Sequence, residues 1–283
     1  MSSNDAPCPD QRTRTVLVTG VRGKTGAPLA RVLSAAGVSV RGGSTRPGSI
    51  DLPDVSPVAF DWDEAAGWAS AVAGVEAIYL VRPDRPDAPE LVSRFLAEAP
   101  DDVKVVLLSE RRPEDFGPEG WAPRVERSVT FSGKRWVVLR PGWFAQVFAD
   151  DRFYRDVARH GGELRFPSGG ADVAWIDARD IAEVAAVALL TSRHDGERLE
   201  LTGPTALSLP RTATVVGRHA AGPVRHVEID VEEAVADLEG FERELTVITF
   251  DRLGRGSFAD VTGEVERVTG HPARSLDEAL QDG

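Results

Sequence analysis

Apolar and polar positions come in alternating blocks along the first two thirds of the chain. Short apolar runs recur at residues 15–19, 38–41, 58–60, 77–81, 103–108 and 136–139. Several are continuous, as strands of a parallel sheet buried on both faces should be. Between them lie helix-compatible stretches near residues 25–36, 63–72, 89–99, 123–131, 146–159 and 178–191. This β-α alternation predicts an α/β fold, a doubly wound parallel sheet of Rossmann type with right-handed crossovers. Beyond about residue 200 the pattern changes. Leu-Thr-Gly-Pro at 201–204 reads as a turn, and helical segments at 231–238, 241–253 and 261–269 surround one short strand at 224–229. The expected organisation is a disordered leader (1–13), a nucleotide-binding domain (14–200) that lends some insertions to the second lobe, and a small substrate-capping α/β lobe (201–283).

The 283 residues are enough for one large domain with an appendage. A net charge of -12 without a basic stripe argues against nucleic acid and against an anionic membrane surface as partners. The single cysteine, Cys8, precludes an internal disulfide and points to a cytoplasmic setting. The apolar stretch 181–190 is too short to span a bilayer and contains Glu183. No metal site is assigned.

The strongest chemical signal is Val-Leu-Val-Thr-Gly-Val-Arg-Gly-Lys-Thr-Gly at 16–26. A strand, a loop with Gly20, Gly23 and Gly26, and a helix start suit a dinucleotide pyrophosphate. Glycines let backbone approach the phosphates, and free helix N-terminal N–H groups face the charge. Gly23-Lys24-Thr25 imitates the end of a triphosphate-binding P-loop. That motif needs a glycine five residues earlier, where Val18 stands. Arg22, Lys24 and Thr25 complete the expected phosphate-side set.

The second strand continues into Gly-Gly-Ser-Thr-Arg at 42–46, without the Asp or Glu that binds a ribose 2′-hydroxyl. Ser44 and Arg46, with Arg22 opposite, suit a 2′-phosphate instead, so NADP(H) is preferred over NAD(H). The alternative is that both arginines are solvated surface charges. Asp61, at the end of the third strand, either accepts from the adenine amino group, with Trp62 covering the ring, or caps the next helix. Val81, Arg82 and Pro83 end the fourth strand, where a doubly wound sheet lines its ligand crevice.

These motifs resemble the NmrA-like atypical short-chain dehydrogenase/reductases, nearest to the branch of the ergot-alkaloid-type dehydrogenases. Carrying the resemblance are 18–26, Phe-Asp-Trp (60–62), Gly-Val-Glu-Ala-Ile-Tyr-Leu-Val (74–81), Leu-Leu-Ser (107–109), Leu-Arg-Pro-Gly-Trp-Phe (139–144), Trp-Ile-Asp-Ala-Arg-Asp-Ile-Ala (175–182) and Leu-Thr-Gly-Pro (201–204). It implies that Pro141, Gly142, Trp143 and Phe144 pass near the nicotinamide. It also implies that Ser109 stands where these enzymes keep a catalytic Ser or Thr, and that Asp177 positions the pocket-lining segment. Asp177 and Asp180 read equally well as carboxylates at a helix start.

The Tyr-x-x-x-Lys of standard short-chain dehydrogenases is missing, and so is the histidine that many NmrA-like relatives put in the tyrosine's place. Pro83 and Ala158 follow Tyr79 and Tyr154 by four residues, and at the equivalent helix Ala122 and Glu126 stand for the tyrosine and lysine. Reducing a ketone calls for a positioned acid. An iminium ion is already electrophilic and gives a neutral amine without proton transfer at that step. Glu126 could balance a cationic substrate or act as an acid if buried, or be a solvated helix carboxylate. Trp121, Trp143, Phe144, Phe148 and Trp175 are candidate walls for a flat ligand, or plain core. The polar segment 110–120 reads as a lid or a surface loop. The reading is an NAD(P)H-dependent oxidoreductase reducing an imine, iminium, conjugated double bond or quinone of a small hydrophobic metabolite, with Ser109 and Glu126 as the catalytic candidates. A non-catalytic NAD(P) sensor and a non-redox enzyme of secondary metabolism are the alternatives. Homodimers are common for this fold class, and no interface is marked.

Overall fold

A computed structural model describes residues 14–281; the 1–13 leader with Cys8 lies outside the described residues. The strands are β1 (Thr15–Thr19), β2 (Ser39–Ser44), β3 (Val55–Ala59), β4 (Ala77–Val81), β5 (Lys104–Leu108), β6 (Arg135–Pro141), β7 (Gly162–Arg165), β8 (Asp172–Val173), β9 (Arg198–Leu201), β10 (Leu207–Ser208) and β11 (Val224–Val227). The helices are α1 (Gly26–Ala35), α2 (Trp68–Val72), α3 (Ala88–Glu98), α4 (Trp121–Thr130), α5 (Arg155–His160), α6 (Ala178–Leu190), α7 (Leu209–Gly217), α8 (Val231–Ala234), α9 (Gly240–Gly254), α10 (Glu264–Thr269) and α11 (Leu276–Gln281).

Seven strands form one sheet in the order β3-β2-β1-β4-β5-β6-β9, every neighbouring pair parallel. Successive residues of the central strands serve opposite cores. Val16, Val18, Tyr79, Val106 and Val137 pack with α1 and α6, whereas Leu17, Ile78, Leu80, Val105 and Val138 pack with α2, α3 and α4. Burial on both faces is the physical reason these strands read as unbroken apolar runs. A third core, around Phe148, Phe166, Trp175, Phe250 and Phe258, belongs to the lobe over the strand ends. Its two small sheets each join a strand from before residue 200 to one from after it, β7 with β11 and β8 with β10.

Among the differences from the expected elements, three bear on the site. β2 runs on through Gly42 and Gly43, whose lack of side chains leaves room for Val55, Val21 and Phe60. The helix expected over 146–159 is broken into a 3-10 turn, Ala145–Ala149, and α5. Asp150 causes the break: its carboxylate accepts from the Arg152 backbone N–H (3.0 Å) and holds Lys24 of the glycine loop. Strand β9, half of whose residues are polar, was not expected in the sheet.

The β1–α1 turn brings backbone against backbone. Gly20 has φ +64°, and the Gly23 N–H donates to its carbonyl at 2.8 Å. A Cβ on Gly26 would lie 2.3 Å from that same carbonyl oxygen, which is backbone and cannot swing aside. Gly26→Ala should therefore cost about 1–3 kcal/mol through forced displacement of the turn. Gly48→Ala, where a Cβ meets open space, should leave stability nearly unchanged. Urea unfolding of the two variants checks the contrast.

Candidate active site

The glycine loop has the form a pyrophosphate cradle requires. Gly20 and Gly23 are exposed, and the Lys24 and Thr25 amides have no protein acceptor among the described residues. A Cβ at Gly23 would press on the Gly20 carbonyl at 3.1 Å. The loop thus offers close backbone approach and free N–H donors at a helix start, so the residues fit a dinucleotide. Val81 closes the turn from the neighbouring strand, its Cβ 3.4 Å from where one on Gly20 would stand. The Thr19 hydroxyl fixes that neighbour, donating to the Tyr79 carbonyl (3.0 Å) and accepting from the Val81 N–H (2.8 Å).

Arg22 and Arg46 leave adjacent strands, since Thr19 pairs with Gly43 in register, and both are exposed. The Ser44 hydroxyl accepts from the Arg46 N–H at 3.1 Å. Asp61 caps the following turn, its carboxylate accepting from Asp63 N–H at 2.9 Å. Trp62 packs edge-on against Phe60, Phe95 and Trp68.

A cavity of about 360 Å3 opens at the carboxyl ends of β4, β5 and β6. Val81, Arg82, Leu108, Ser109 and the Pro141–Phe144 segment line it, with Lys24 at one side. Phe153, Thr249 and Phe258 close it from the lobe. Pro141 and Gly142 are fixed in place: the Pro141 carbonyl accepts from Arg111 N–H (3.0 Å), and Gly142 N–H donates to Leu201 (2.8 Å). Of the expected aromatic walls, Trp143 and Phe144 line this cavity. Trp121, Phe148 and Trp175 are buried core, and Trp121 carries the Arg82 guanidinium 4.3 Å from its ring centre. Neither Tyr79 nor Tyr154 lines the cavity. Tyr79 is fully buried, which pushes its phenol far above the usual range. Pro83 follows Arg82 out of β4, and is not among the residues lining the cavity.

Ser109 meets Glu126 behind the cavity wall. The Ser109 hydroxyl donates to Glu126 Oε1 at 2.8 Å; a carboxylate can only accept, so the proton direction is set. Glu126 is buried, not solvated, because Arg140 grips it bidentately at 2.9 and 2.7 Å, with Arg198 at 3.3 Å. Burial opposes charge on Arg140, but its bonds to Glu126 and Glu200 outweigh this and raise its pKa. The negative charge of Glu126 is thus already balanced, and it reaches the cavity through Ser109.

The 110–120 segment is pinned to the lobe. Buried Arg252 of α9 pairs with Glu110 (2.7 Å), donates to the Arg111 carbonyl and lies over the Phe116 ring at 4.5 Å. Ser257 donates to Asp115 at 2.6 Å. Asp177 is the fully buried cap of α6, accepting from Arg179 N–H at 2.8 Å. Asp180, Glu183 and His271 lie together, and Arg274 already bridges the two carboxylates.

Phe153, Phe258, Arg140 and Arg252 escaped the sequence reading. A signal existed for one of them. Arg140 interrupts an apolar strand run, Val-Val-Leu-Arg-Pro, and a buried arginine demands a buried carboxylate.

No family model matches the chain. It is 33% identical over 271 residues to the uncharacterized oxidoreductase YesF of Bacillus subtilis, covering 93% of each protein. The chain belongs to the NmrA-like atypical short-chain dehydrogenase/reductases. It is 29% identical over 278 residues to the NAD(P)H azoreductase of Xenophilus azovorans (93% of this chain, 96% of that one). Agroclavine dehydrogenase of Claviceps fusiformis, from the ergot-alkaloid branch, is 25% identical over 284 residues, 95% of this chain and 96% of its own. The fold matches the NADPH-complexed quinone oxidoreductase QOR2 of Escherichia coli with a TM-score of 0.79 at 17% identity, over 94% of this chain and 99% of that one. The protein is an NAD(P)-dependent oxidoreductase.

Removing one partner from a buried ion pair strands the other's charge, at a cost of about 3–5 kcal/mol. Glu200 still pairs with Arg140 at 3.0 Å, so Glu126→Ala should destabilise the fold by less than that, about 1.5–3 kcal/mol, and Glu126→Ala with Arg140→Met should recover part of it. Urea midpoints of the single and double variants measure the coupling.

Proposed function

We propose that this oxidoreductase uses NADPH to reduce flat, apolar acceptors that need no protein acid at the step of reduction: quinones, iminium ions or conjugated double bonds. The observation carrying the reading is the aromatic-walled cavity at the ends of β4–β6, beside a serine whose proton is committed to Glu126. The reduced nicotinamide, when bound, supplies the hydride. Around it, Pro141–Phe144 would hold the ring in orientation, and Trp143, Phe153 and Phe258 would stack the acceptor and exclude water. Ser109, donating to Glu126, presents oxygen lone pairs to the cavity. It suits a cationic or N–H-bearing acceptor better than a developing alkoxide, which needs a donor. Glu126 is a positioning residue here, holding that hydroxyl in one sense. The names of the relatives, an azoreductase and a quinone oxidoreductase among them, support acceptors of this type.

The preference for NADPH rests on Arg22 and Arg46, which flank the end of β2 with no carboxylate among residues 38–48. Loss of one charge-assisted phosphate contact costs about 1.5–3 kcal/mol. Arg46→Ala is expected to lower the NADPH-over-NADH selectivity by about tenfold or more. An unchanged Kd ratio, measured by fluorescence titration, would remove the 2′-phosphate assignment.

The acceptor class is tested by NADPH oxidation with menadione, a cyclic iminium salt and acetophenone. A positioned acid contributes about 10²–10⁴-fold. The quinone or the iminium should exceed the ketone in kcat/KM by at least that order. Equal rates would mean that an acid operates; no oxidation of NADPH with any acceptor, despite tight binding, would favour a sensor.

A further inference from the structure

A second cavity, of about 440 Å3, lies on the other side of Lys24, between α1, the 145–149 turn, α5, the start of α6 and α11. Its lining includes Lys24, Arg31, Arg155, Arg159, Arg179 and His219 and, among the described residues, no aspartate or glutamate. In a chain of net charge -12 such a one-signed cavity is not the average surface. The carboxylates that serve these cations stand outside the lining: Asp150 for Lys24, Asp151 for Arg155, Asp177 for Arg179 and Asp277 for His219. Arg31 and Arg159 are exposed and have no carboxylate partner among the described residues. The floor is apolar, formed by Phe148, Ala158 and Leu280.

We propose that this cavity is a second binding site, for an organic acid whose anionic group meets Arg31 and Arg159 and whose apolar body lies on the Phe148 floor. Charge and floor together select this class. A bare inorganic anion would leave the floor wet, and a neutral apolar molecule would leave the arginines without an acceptor. Size agrees, since a cavity of about 150 Å3 already holds benzene. Lys24 belongs to both cavities, so an occupant here would sit against the side chain that the glycine loop also presents to the active-site cavity. This is a site separate from that of reduction, and it does not rest on the acceptor class.

The test is calorimetric titration of the full-length protein, with and without NADPH, using 2-naphthoate, 2-naphthamide and inorganic phosphate as probes. Naphthoate should bind, with the amide and phosphate weaker by about tenfold or more. The double variant Arg31→Ala, Arg159→Ala should lose about tenfold or more in naphthoate affinity, because hydrogen bonds to charged groups are worth about 1.5–3 kcal/mol. Its melting temperature and NADPH affinity should match wild type. Absence of naphthoate binding would overturn the proposal. So would equal binding of the amide, which would show that charge is not read, or of phosphate, which would show that the floor is not read. Unchanged naphthoate affinity in the double variant would place the probe in the aromatic cavity and equally overturn it.

Discussion

The Gly20 carbonyl accepts from the Gly23 N–H and touches the Cα side of Gly26, where any side-chain carbon would fall 2.3 Å from it. That contact brings the start of α1 directly over the end of β1. The helix can then begin within a few residues of the strand, its first N–H groups left for a ligand. Neighbouring elements are built to match. Thr19, just before the turn, ties β4 to β1 through its hydroxyl, which sets Val81 against Gly20 and opens the crevice alongside. On the other side, Gly42 and Gly43 let Val21, Val55 and Phe60 fill the space at the end of β2. The same short turn aims Lys24 at Asp150, so one loop presents free backbone N–H groups and bounds both cavities.

The second organising feature is buried charge. Arg140, Arg111 and Arg252 run through the region where the sheet meets the lobe, and the last two are almost wholly inaccessible. A buried guanidinium is tolerable only with its donors satisfied, and replacing such a pair by apolar residues is often no loss in stability. What these arginines supply here is position. Arg140 fixes Glu126 and thereby the sense of the Ser109 hydroxyl; Arg252 fixes Glu110 and the 111–116 backbone under the lobe. Arg274 does the same for the buried Asp180 and the half-buried Glu183, a pair that would otherwise be a cluster of like charges.

The sheet and the glycine loop were legible in the sequence because their constraints are local. A strand buried on both faces must be apolar at every position, and a phosphate turn must have glycine where backbone meets backbone. The 145–154 segment was not legible. Its apolar periodicity is that of a helix, and at the break Asp150 joins a local bond from Arg152 N–H to a tertiary contact with Lys24, 126 residues away. The sorting of aromatics was equally hidden. Trp143 and Trp175 are alike in local context, yet only Trp143 reaches the cavity, and Phe153, in a polar stretch, closes it from the lobe. Glu126 fell between its two readings for the same reason: neither its burial nor its Arg140 partner is encoded near it in the chain.

A sequence without Tyr-x-x-x-Lys leaves, on the proposed function, more to the rest of the site. Ala122 is buried, and around the cavity the strand ends offer the Ser109 hydroxyl and aromatic rings. Under the proposed function, the protein contributes orientation and dryness, and the acceptor itself must bear the electrons once it is reduced. Quinones and iminium ions do this by delocalisation or by cancelling a charge, whereas a simple ketone would leave an alkoxide facing serine lone pairs. The range of acceptors is then set by shape more than by functional group, so that the rings that stack the acceptor, Trp143, Phe153 and Phe258, become the residues on which selectivity turns.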